Sequence, residues 1–446
     1  MGTYVSLEFL RLEGERETPM TSEPYLSQDL FQPGLCHQVS VDENGQEPLS
    51  MRVSEAMATV VKNDPHEIPP LYDVIDPDAL NNIFHPLSAD TQQSGQSPTE
   101  ILFSWCDHAV RVRQTGEISI TNESIIPQIG TEAVLSAMFS AEALSDTDGV
   151  ASEYAPAEDV GTAVVLAIAD EVGVEPRELQ EQLSDRINPD ALTNLFGPKL
   201  DGTLRTGGYV SFAFQGYFVT VSSDGTITLQ SELAQLKQDG GNVLVVGDVP
   251  DDVFNTTRSF LGGEPKPTQH NLFALLDRSP AALQQSATPR QPTLGTSEIL
   301  DHQIPVRSAG ASESPAEQPT QNTQITQIEG DLSNLRRALI QSLTRYEHDT
   351  DDSDMADLRL YMDSLRPILD DADTDVATFL QPLQHAVSAV GAVGYYLLPG
   401  DRNAPGIREL KADFDAVIEL RIGTSGPEQR WSLRQTGYTT RWFSIN

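Results

Sequence analysis

Acidic pairs and a few scattered histidines are the residues of this chain whose types and spacing suit chemistry. Asp76-Pro77-Asp78 sets two carboxylates two positions apart, as a general acid–base pair would require. Asp371, Asp373 and Asp375 begin like a calcium loop, but Val376 stands where the loop needs glycine and Pro382 where it needs the bidentate Glu. Those residues read better as a solvated acidic run that caps a helix. Cys106-Asp107-His108 brings two soft ligands together, and a turn between strands accounts for them equally well. The 8 histidines are too dispersed for zinc spacing, and no Gly-x-Ser-x-Gly elbow presents a nucleophile. Phe103/Trp105 and Phe212/Phe214 alternate along strands and present aromatic faces of the kind that stack nucleobases. No basic residues lie between them, so a core face against helices is the better reading.

The acidic pair belongs to a segment that is written twice. Ile75-Asp76-Pro77-Asp78-Ala79-Leu80-Asn81-Asn82-Ile83-Phe84 recurs as Ile187-Asn188-Pro189-Asp190-Ala191-Leu192-Thr193-Asn194-Leu195-Phe196. Self-similarity at this separation indicates a duplicated small domain, because solenoid periods are shorter. Read physically, Asp76 is a helix N-cap, Pro77 occupies the first helical position where its missing N–H costs nothing, and Asp78 faces the positive end of the helix dipole. The second copy replaces Asp76 by Asn188, which caps equally well without a charge. The pair is therefore expected to be architectural.

The elements around each decapeptide follow one plan. Val53, Ala56, Met57, Val60 and Val61 recur at helical spacing and end at Asn63-Asp64-Pro65. After the decapeptide, alternation in Ile101/Phe103/Trp105, Ala109–Arg113 and Glu117–Ile120 predicts three strands, with turns at Cys106–His108 and Thr115-Gly116. The second copy repeats this with a helix at Ala163–Glu171 and strands at Tyr209–Ala213, Tyr217–Ser222 and Thr226–Gln230. Its turns, Gln215-Gly216 and Asp224-Gly225, are strong hairpin signals. From Asn242 the pattern changes to buried-type strands alternating with helices, which predicts an α/β sheet with crossover connections. The strands are Asn242–Asp248, Leu272–Asp277, Leu358–Asp363, Ala392–Leu398 and Ala416–Ile422, with a terminal pair at Arg430–Arg434 and Arg441–Ile445. Ser279–Gln327, rich in Pro, Ser, Thr, Gln and Ala, reads mostly as linker, with a short strand at Ile304–Ser308.

Composition narrows the setting. Acidic residues number 66 against 28 basic, giving a formal net charge of −38, and the only lysines are Lys62, Lys199, Lys237, Lys266 and Lys411. Acid excess spread over the whole chain reads as adaptation to a molar-salt cytosol, where charge repulsion is screened within about 3 Å. It denies the chain the basic footprint of nucleic-acid binding. Cys36 and Cys106 are the only cysteines, which suits a reduced cytoplasmic protein. The longest apolar runs fall short of a membrane span, and Met20-Thr21-Ser22-Glu23 offers an alternative start to Met1.

The doubled pattern resembles the halobacterial output domain. It comprises a helix, the capped decapeptide, and a tail that the second copy carries in full as Phe212, Gly216-Tyr217, Val219, Val221 and Asp224-Gly225. The first copy departs from it with Asp107-His108 for Gly-Tyr and Thr115 for the Asp. The resemblance implies a haloarchaeal signalling protein without established chemistry. Residues 242–446 are similar to a haloarchaeal domain of unknown function that is in turn similar to RecA/KaiC-type ATPases. Asn242–Asp248, Met362–Pro367 and Phe414–Arg421 carry that likeness. In it, Leu358–Asp363 takes the place of a Walker B strand, and Asp363 is the vestige of its acid. The turn after Val246 reads Gly247-Asp248-Val249-Pro250-Asp251-Asp252, with no second Gly and no Lys to cradle phosphate.

The expected architecture is therefore α+β for two small domains, each two helices and a three-strand meander, followed by an α/β domain with a mostly parallel RecA-like sheet. The boundaries are a disordered segment at 1–49, output domains at 50–123 and 159–232, an acidic linker with a helix (Glu132–Leu144) at 124–158, and the α/β domain at 241–446 with a disordered insert at about 309–327. No catalytic residue, cofactor or metal is expected. Protein partners among signalling components are expected; membrane and nucleic acid are not. The rival reading is a nucleotide-binding enzyme with a site around Asp363 and Asp401, and a transcriptional regulator ranks last, since no basic recognition helix is visible.

Overall fold

Each repeat lays two helices on one face of an antiparallel meander, and the two meanders join edge to edge. The computed structural model describes residues 35–39, 47–84, 99–122, 150–153, 159–261, 269–286, 296–302, 323–349, 358–371, 374–404, 406–424 and 426–445. The first repeat comprises β1 (Leu35–Val39), α1 (Leu49–Val61), α2 (Pro77–Asn82), β2 (Glu100–Trp105), β3 (His108–Arg113) and β4 (Ile118–Asn122). The second comprises β5 (Val150–Glu153), α3 (Val160–Val172), α4 (Pro189–Leu195), β6 (Gly208–Phe214), β7 (Tyr217–Ser222) and β8 (Thr226–Ser231).

These strands form one 8-stranded antiparallel sheet in the order β1-β4-β3-β2-β6-β7-β8-β5. The order is a palindrome, so an internal twofold relates the copies, and its axis passes between β2 and β6. There Ile101 pairs with Val210 and Leu102 with Tyr209. Gly208 leaves room for the Phe196 ring of its own copy, which a Cβ there would meet at 2.5 Å, and a Cβ would also lie 3.1 Å from Leu102 O across the seam. Met57, Leu80 and Phe103 of the first copy and Ile168, Leu192 and Phe212 of the second belong to a single buried core. The aromatics singled out in the sequence thus line that core. The two copies share one sheet and one core where two small separate domains were expected. Each meander also gains an outer strand. β1 lies within the stretch expected to be disordered, and β5 within the stretch expected to be linker. A lone ladder edge is an open template for pairing, and these short segments extend it on both sides.

A short helix α5 (Glu232–Asp239) leads into the second sheet. That sheet contains β9 (Gly241–Gly247), β10 (His270–Leu275), β11 (Thr296–His302), β12 (Thr323–Ile328), β13 (Leu358–Met362), β14 (Val393–Pro399), β15 (Ala416–Gly423), β16 (Gly426–Leu433) and β17 (Phe443–Ser444). Its order is β12-β11-β10-β13-β14-β9-β15-β16-β17. Pairs from β12 to β15 are parallel, and the β15–β16 and β16–β17 pairs are antiparallel. The helices are α6 (Asp251–Leu261), α7 (Pro280–Ser286), α8 (Leu332–Asp349), α9 (Arg366–Leu369), α10 (Val376–Ala389) and α11 (Ile407–Lys411). Parallel strands carry helices on both faces, which is why Val243–Val246 is apolar without alternation. Leu244 and Val246 pack toward Leu335 of α8 and Leu383 of α10; Val243 and Val245 pack toward Phe254 of α6.

The linker expected over Ser279–Gln327 is the main departure in this half, because it contains α7, β11 and β12. β12 also overlaps the expected insert at 309–327. The expected strand at Ile304–Ser308 and the helix at Glu132–Leu144 lie outside the described residues. No helix among the described residues is long and apolar enough to cross a membrane.

Candidate functional site

The repeated decapeptides meet each other across the twofold. Asp76 accepts hydrogen bonds from the backbone N–H of Asp78 (3.0 Å) and Ala79 (2.9 Å). Asn188 does the same for Asp190 (3.1 Å) and Ala191 (3.2 Å). Pro77 and Pro189 each open the helix, Leu80 and Leu192 are buried beneath it, and Asp78 and Asp190 are exposed on its first turn. The backbone joins them directly: Asp76 N–H donates to Leu195 O at 3.0 Å and Asn188 N–H to Ile83 O at 3.2 Å. One Asp76 carboxylate oxygen is committed to the cap, so Asp76 and Asp78 are not a free acid–base pair.

The difference between the copies has a physical cause. Arg205, on the connection between α4 and β6, has a side chain only 1 % exposed. Its Nε donates to Tyr72 O at 3.1 Å, its Nη1 to Gly197 O, and its guanidinium stacks 4.5 Å from the Tyr72 ring centre. Its Nη2 makes no hydrogen bond and faces the free oxygen of Asp76 at 3.8 Å. Lys199 reaches Asp73 at 3.4 Å, and the Tyr72 hydroxyl accepts from Leu200 N–H at 3.1 Å. A loop of the second copy thus clamps the first, and Asp76 keeps a charge that balances a buried arginine.

The signature turn of the second copy is a junction. Gln215 and Gly216 have φ of 56° and 81°, the left-handed pair that a two-residue hairpin requires. A Cβ on Gly216 would sit 3.0 Å from the Tyr438 ring, in the hairpin that follows β16. The Tyr438 hydroxyl accepts from Gln180 Nε2 at 2.7 Å, and burial pushes its ionisation up. Glu232, at the start of α5, donates its N–H to Gly216 O at 3.1 Å, and its carboxylate accepts from the N–H groups of Gln435 and Thr436, each at 2.8 Å. Burial raises the Glu232 pKa against the opposing pull of these bonds. Tyr217 lies half-buried beside the turn, and burial followed by the nearby Glu171 raises its pKa. The corresponding turn of the first copy, Cys106-Asp107, has φ of 52° and 58°, and His108 Nδ1 lies 2.6 Å from Cys106 O. Burial pushes its Cys106 thiol up, away from reactivity. Asp224-Gly225 is a plain turn: Asp224 accepts from Thr226 N–H at 3.0 Å, and Gly225 has φ of 96°.

Replacing Gly216 by valine is expected to cost about 2–3 kcal/mol, from the left-handed φ and the crowding of Tyr438. Faster amide hydrogen exchange at Gln435, Thr436 and Tyr438 measures it.

The third place is the carboxyl edge of the parallel sheet, where open α/β folds bind ligands. Asp363, 8 % exposed at the end of β13, accepts from the N–H groups of Leu276 (2.7 Å), Asp277 (3.0 Å) and Arg278 (2.8 Å). Burial nevertheless pushes its pKa up to about 6. Gly247 ends β9, and a Cβ there would lie 2.6 Å from Leu420 O, so strand packing demands this glycine. Asp251 and Asp252 occupy the first turn of α6. Arg278 pairs with Asp251 at 3.2 Å and with Asn255 at 3.2 Å; Arg366 Nε donates to Pro399 O at 2.7 Å; Lys411 binds Glu419 at 2.5 Å. Asp401 is exposed and accepts from Asn403 N–H at 2.9 Å. Among the described residues no group of three or more His, Cys, Asp or Glu could hold a metal.

Sequence reading missed Arg205, Glu232, Tyr438 and Arg278. Their roles depend on contacts distant in the chain, and only the density of glycines around Arg205 (Gly202, Gly207, Gly208) hinted at a tight loop.

Comparison with known proteins agrees with the repeat. Residues 45–122 and 156–231 match Halobacterial output domain 1, and residues 240–420 match a family of unknown function, DUF7504. No curated protein matches. Solved structures with detectable similarity include a KaiC-like protein from the hyperthermophilic archaeon Pyrococcus horikoshii OT3, 14 % identical, covering 46 % of this chain and 82 % of that one with a TM-score of 0.26. The chain carries two copies of Halobacterial output domain 1 followed by a DUF7504 region.

Proposed function

We propose that this is a non-enzymatic signalling or regulatory protein of the haloarchaeal cytoplasm. Its paired output modules serve as the surface for protein partners, and its C-terminal sheet is a nucleotide-type scaffold that has lost its phosphate loop. The observation that carries the reading is the state of the carboxyl edge. The turn after β9 delivers two carboxylates to the start of α6, where a phosphate would need bare N–H groups and a positive helix end. Arg278, Arg366 and Lys411 are engaged by protein groups, and both oxygens of Asp363 are held by backbone N–H donors. The Gly216–Tyr438 and Glu232–Thr436 contacts support a further step: partner binding at the modules is transmitted to the sheet through this junction.

Affinity capture from a native high-salt lysate tests the partner claim. The expected result is enrichment of signalling proteins by the full chain, reduced by Gly216→Val if the junction transmits binding. Enrichment of nucleic acid from defined promoters, without a protein partner, would overturn it in favour of a transcriptional regulator.

A further inference from the structure

Basic side chains are scarce in this chain, 28 among 446 residues, yet four of them gather at one end of the second sheet. Alternation on β15 puts Glu419 and Arg421 on one face, and the antiparallel register sets Arg430 of β16 opposite Glu419 and Glu428 opposite Arg421. Trp442, which precedes β17, extends the row: Phe443 pairs with Gln429, so Trp442 comes beside Arg430. The loop after β14 brings Arg402 over the same ring. The guanidinium carbons of Arg421, Arg430 and Arg402 lie 4.0, 4.9 and 5.2 Å from the Trp442 ring centre. Lys411 of α11 joins the group through Glu419 at 2.5 Å.

Three guanidinium ions around one indole repel one another, and the neighbouring carboxylates do not balance them. Lys411 and Arg430 share Glu419, and Glu428 serves Arg421, so two acids meet four cations. Arg402 forms no ion pair among the described residues. A guanidinium carries five N–H donors in a fixed fork. Arg421 and Arg430 commit Nε and Nη2 to their glutamates and leave Nη1 without an acceptor among the described residues. The indole N–H of Trp442 is in the same position, whereas Trp105 donates to Pro69 O at 3.2 Å and Trp431 to Gln429 Oε1 at 3.1 Å. The Arg421 and Arg430 side chains are 38 % and 35 % exposed, so the group is open to solvent.

We propose that this cluster binds a phosphoryl group. The excess of two positive charges matches a dianion, and a single carboxylate would leave half of it unmatched. Forked donors arriving from three elements suit oxygens held around one centre, which a phosphate offers and a spherical chloride does not. That difference sets selectivity in molar KCl, where chloride screens bare charge within about 3 Å. Trp442 is the platform that holds the guanidinium groups together. The site lies just past Leu420, the residue that pairs with Gly247, and so beside the turn after β9 and not in it. It needs no phosphate loop and implies no turnover. This inference is independent of the signalling reading.

Calorimetric titration of the full chain with inorganic phosphate, in molar KCl at a pH where phosphate is a dianion, tests it. The expected result is saturable binding of one phosphate per chain, with a change in fluorescence that Trp442→Phe abolishes. Arg402→Gln breaks no ion pair of the protein and should weaken binding at least about tenfold, with an unchanged circular dichroism spectrum. Arg402→Lys keeps the charge without the fork and should restore only part of that loss. Titration with a phosphoserine peptide and with glycerol phosphate identifies the source. A tighter peptide places the phosphoryl group on a protein partner; a peptide no tighter than the ester places it on a small molecule. No saturable binding, binding at low salt that molar chloride abolishes, or binding indifferent to both Arg402→Gln and Arg430→Gln would overturn it.

Discussion

Replacing Arg205 by methionine is expected to destabilise the paired modules by about 3–5 kcal/mol, the range for removing one member of a buried charged network. Methionine fills much of the space but leaves Tyr72 O and Gly197 O without their donor, and each buried orphan costs roughly 1–3 kcal/mol. It also removes the stack on Tyr72 and the charge opposite Asp76. The loss should localise to the seam. Hydrogen exchange would rise first at Glu100–Phe103 and Gly208–Ser211, which pair across it, while the parallel sheet keeps its protection. Substitutions at the two caps should then differ. Asp76→Asn retains the cap but leaves Arg205 without its carboxylate, at a cost of about 1–2 kcal/mol. Asn188→Asp keeps the cap where no arginine waits, and should change stability by less than about 0.5 kcal/mol. Equal costs at the two positions would refute the clamp.

Asp363→Ala is expected to have the second large effect, about 3–5 kcal/mol. It strips three backbone N–H groups of their acceptor inside the sheet edge. Asp363→Asn should cost less, because one amide oxygen still accepts. The pH dependence distinguishes the two carboxyl states. Burial raises the folded pKa of Asp363 to about 6 from a model-peptide value of 3.8. A carboxyl whose folded pKa is raised contributes stability that is fully present below the unfolded pKa and is lost as pH rises through the folded one. The stability difference between wild type and Asp363→Asn should therefore grow as pH falls from about 7 to about 4, by at most about 3 kcal/mol. Denaturant unfolding at constant KCl measures it. A flat difference across that window would show that the three N–H donors fully offset burial.

The local chemistry of each element was legible in the sequence, and its partners were not. The caps at Asp76 and Asn188, the hairpins at Gln215-Gly216 and Asp224-Gly225, and the buried run Val243–Val246 follow from propensity and period. The strand that ends at Asp363 also follows from its apolar run, although the three donors to the Asp363 carboxylate do not. By contrast, β11 and β12 lie in a stretch whose polar composition reads as linker, because edge and near-edge strands need little apolar content. The fusion of the repeats was hidden for a different reason. Each copy specifies a complete meander, and nothing local says that β2 meets β6. The one available signal was negative: Ile101-Leu102-Phe103 and Tyr209-Val210 lack the charge or proline of a solvent edge. Arg205 was invisible because arginine is seldom fully buried. Its role exists only where two copies come together.

The proposal that the parallel sheet is a scaffold without turnover is tested most directly by measuring magnesium-ATP hydrolysis by the full chain in molar KCl. The account predicts no hydrolysis above that of the buffer, and no change on Asp363→Asn or Asp401→Ala. Turnover that follows the purified chain and is abolished by either substitution, with the fold intact by circular dichroism, would contradict it and assign an unconventional nucleotide site to the carboxyl edge.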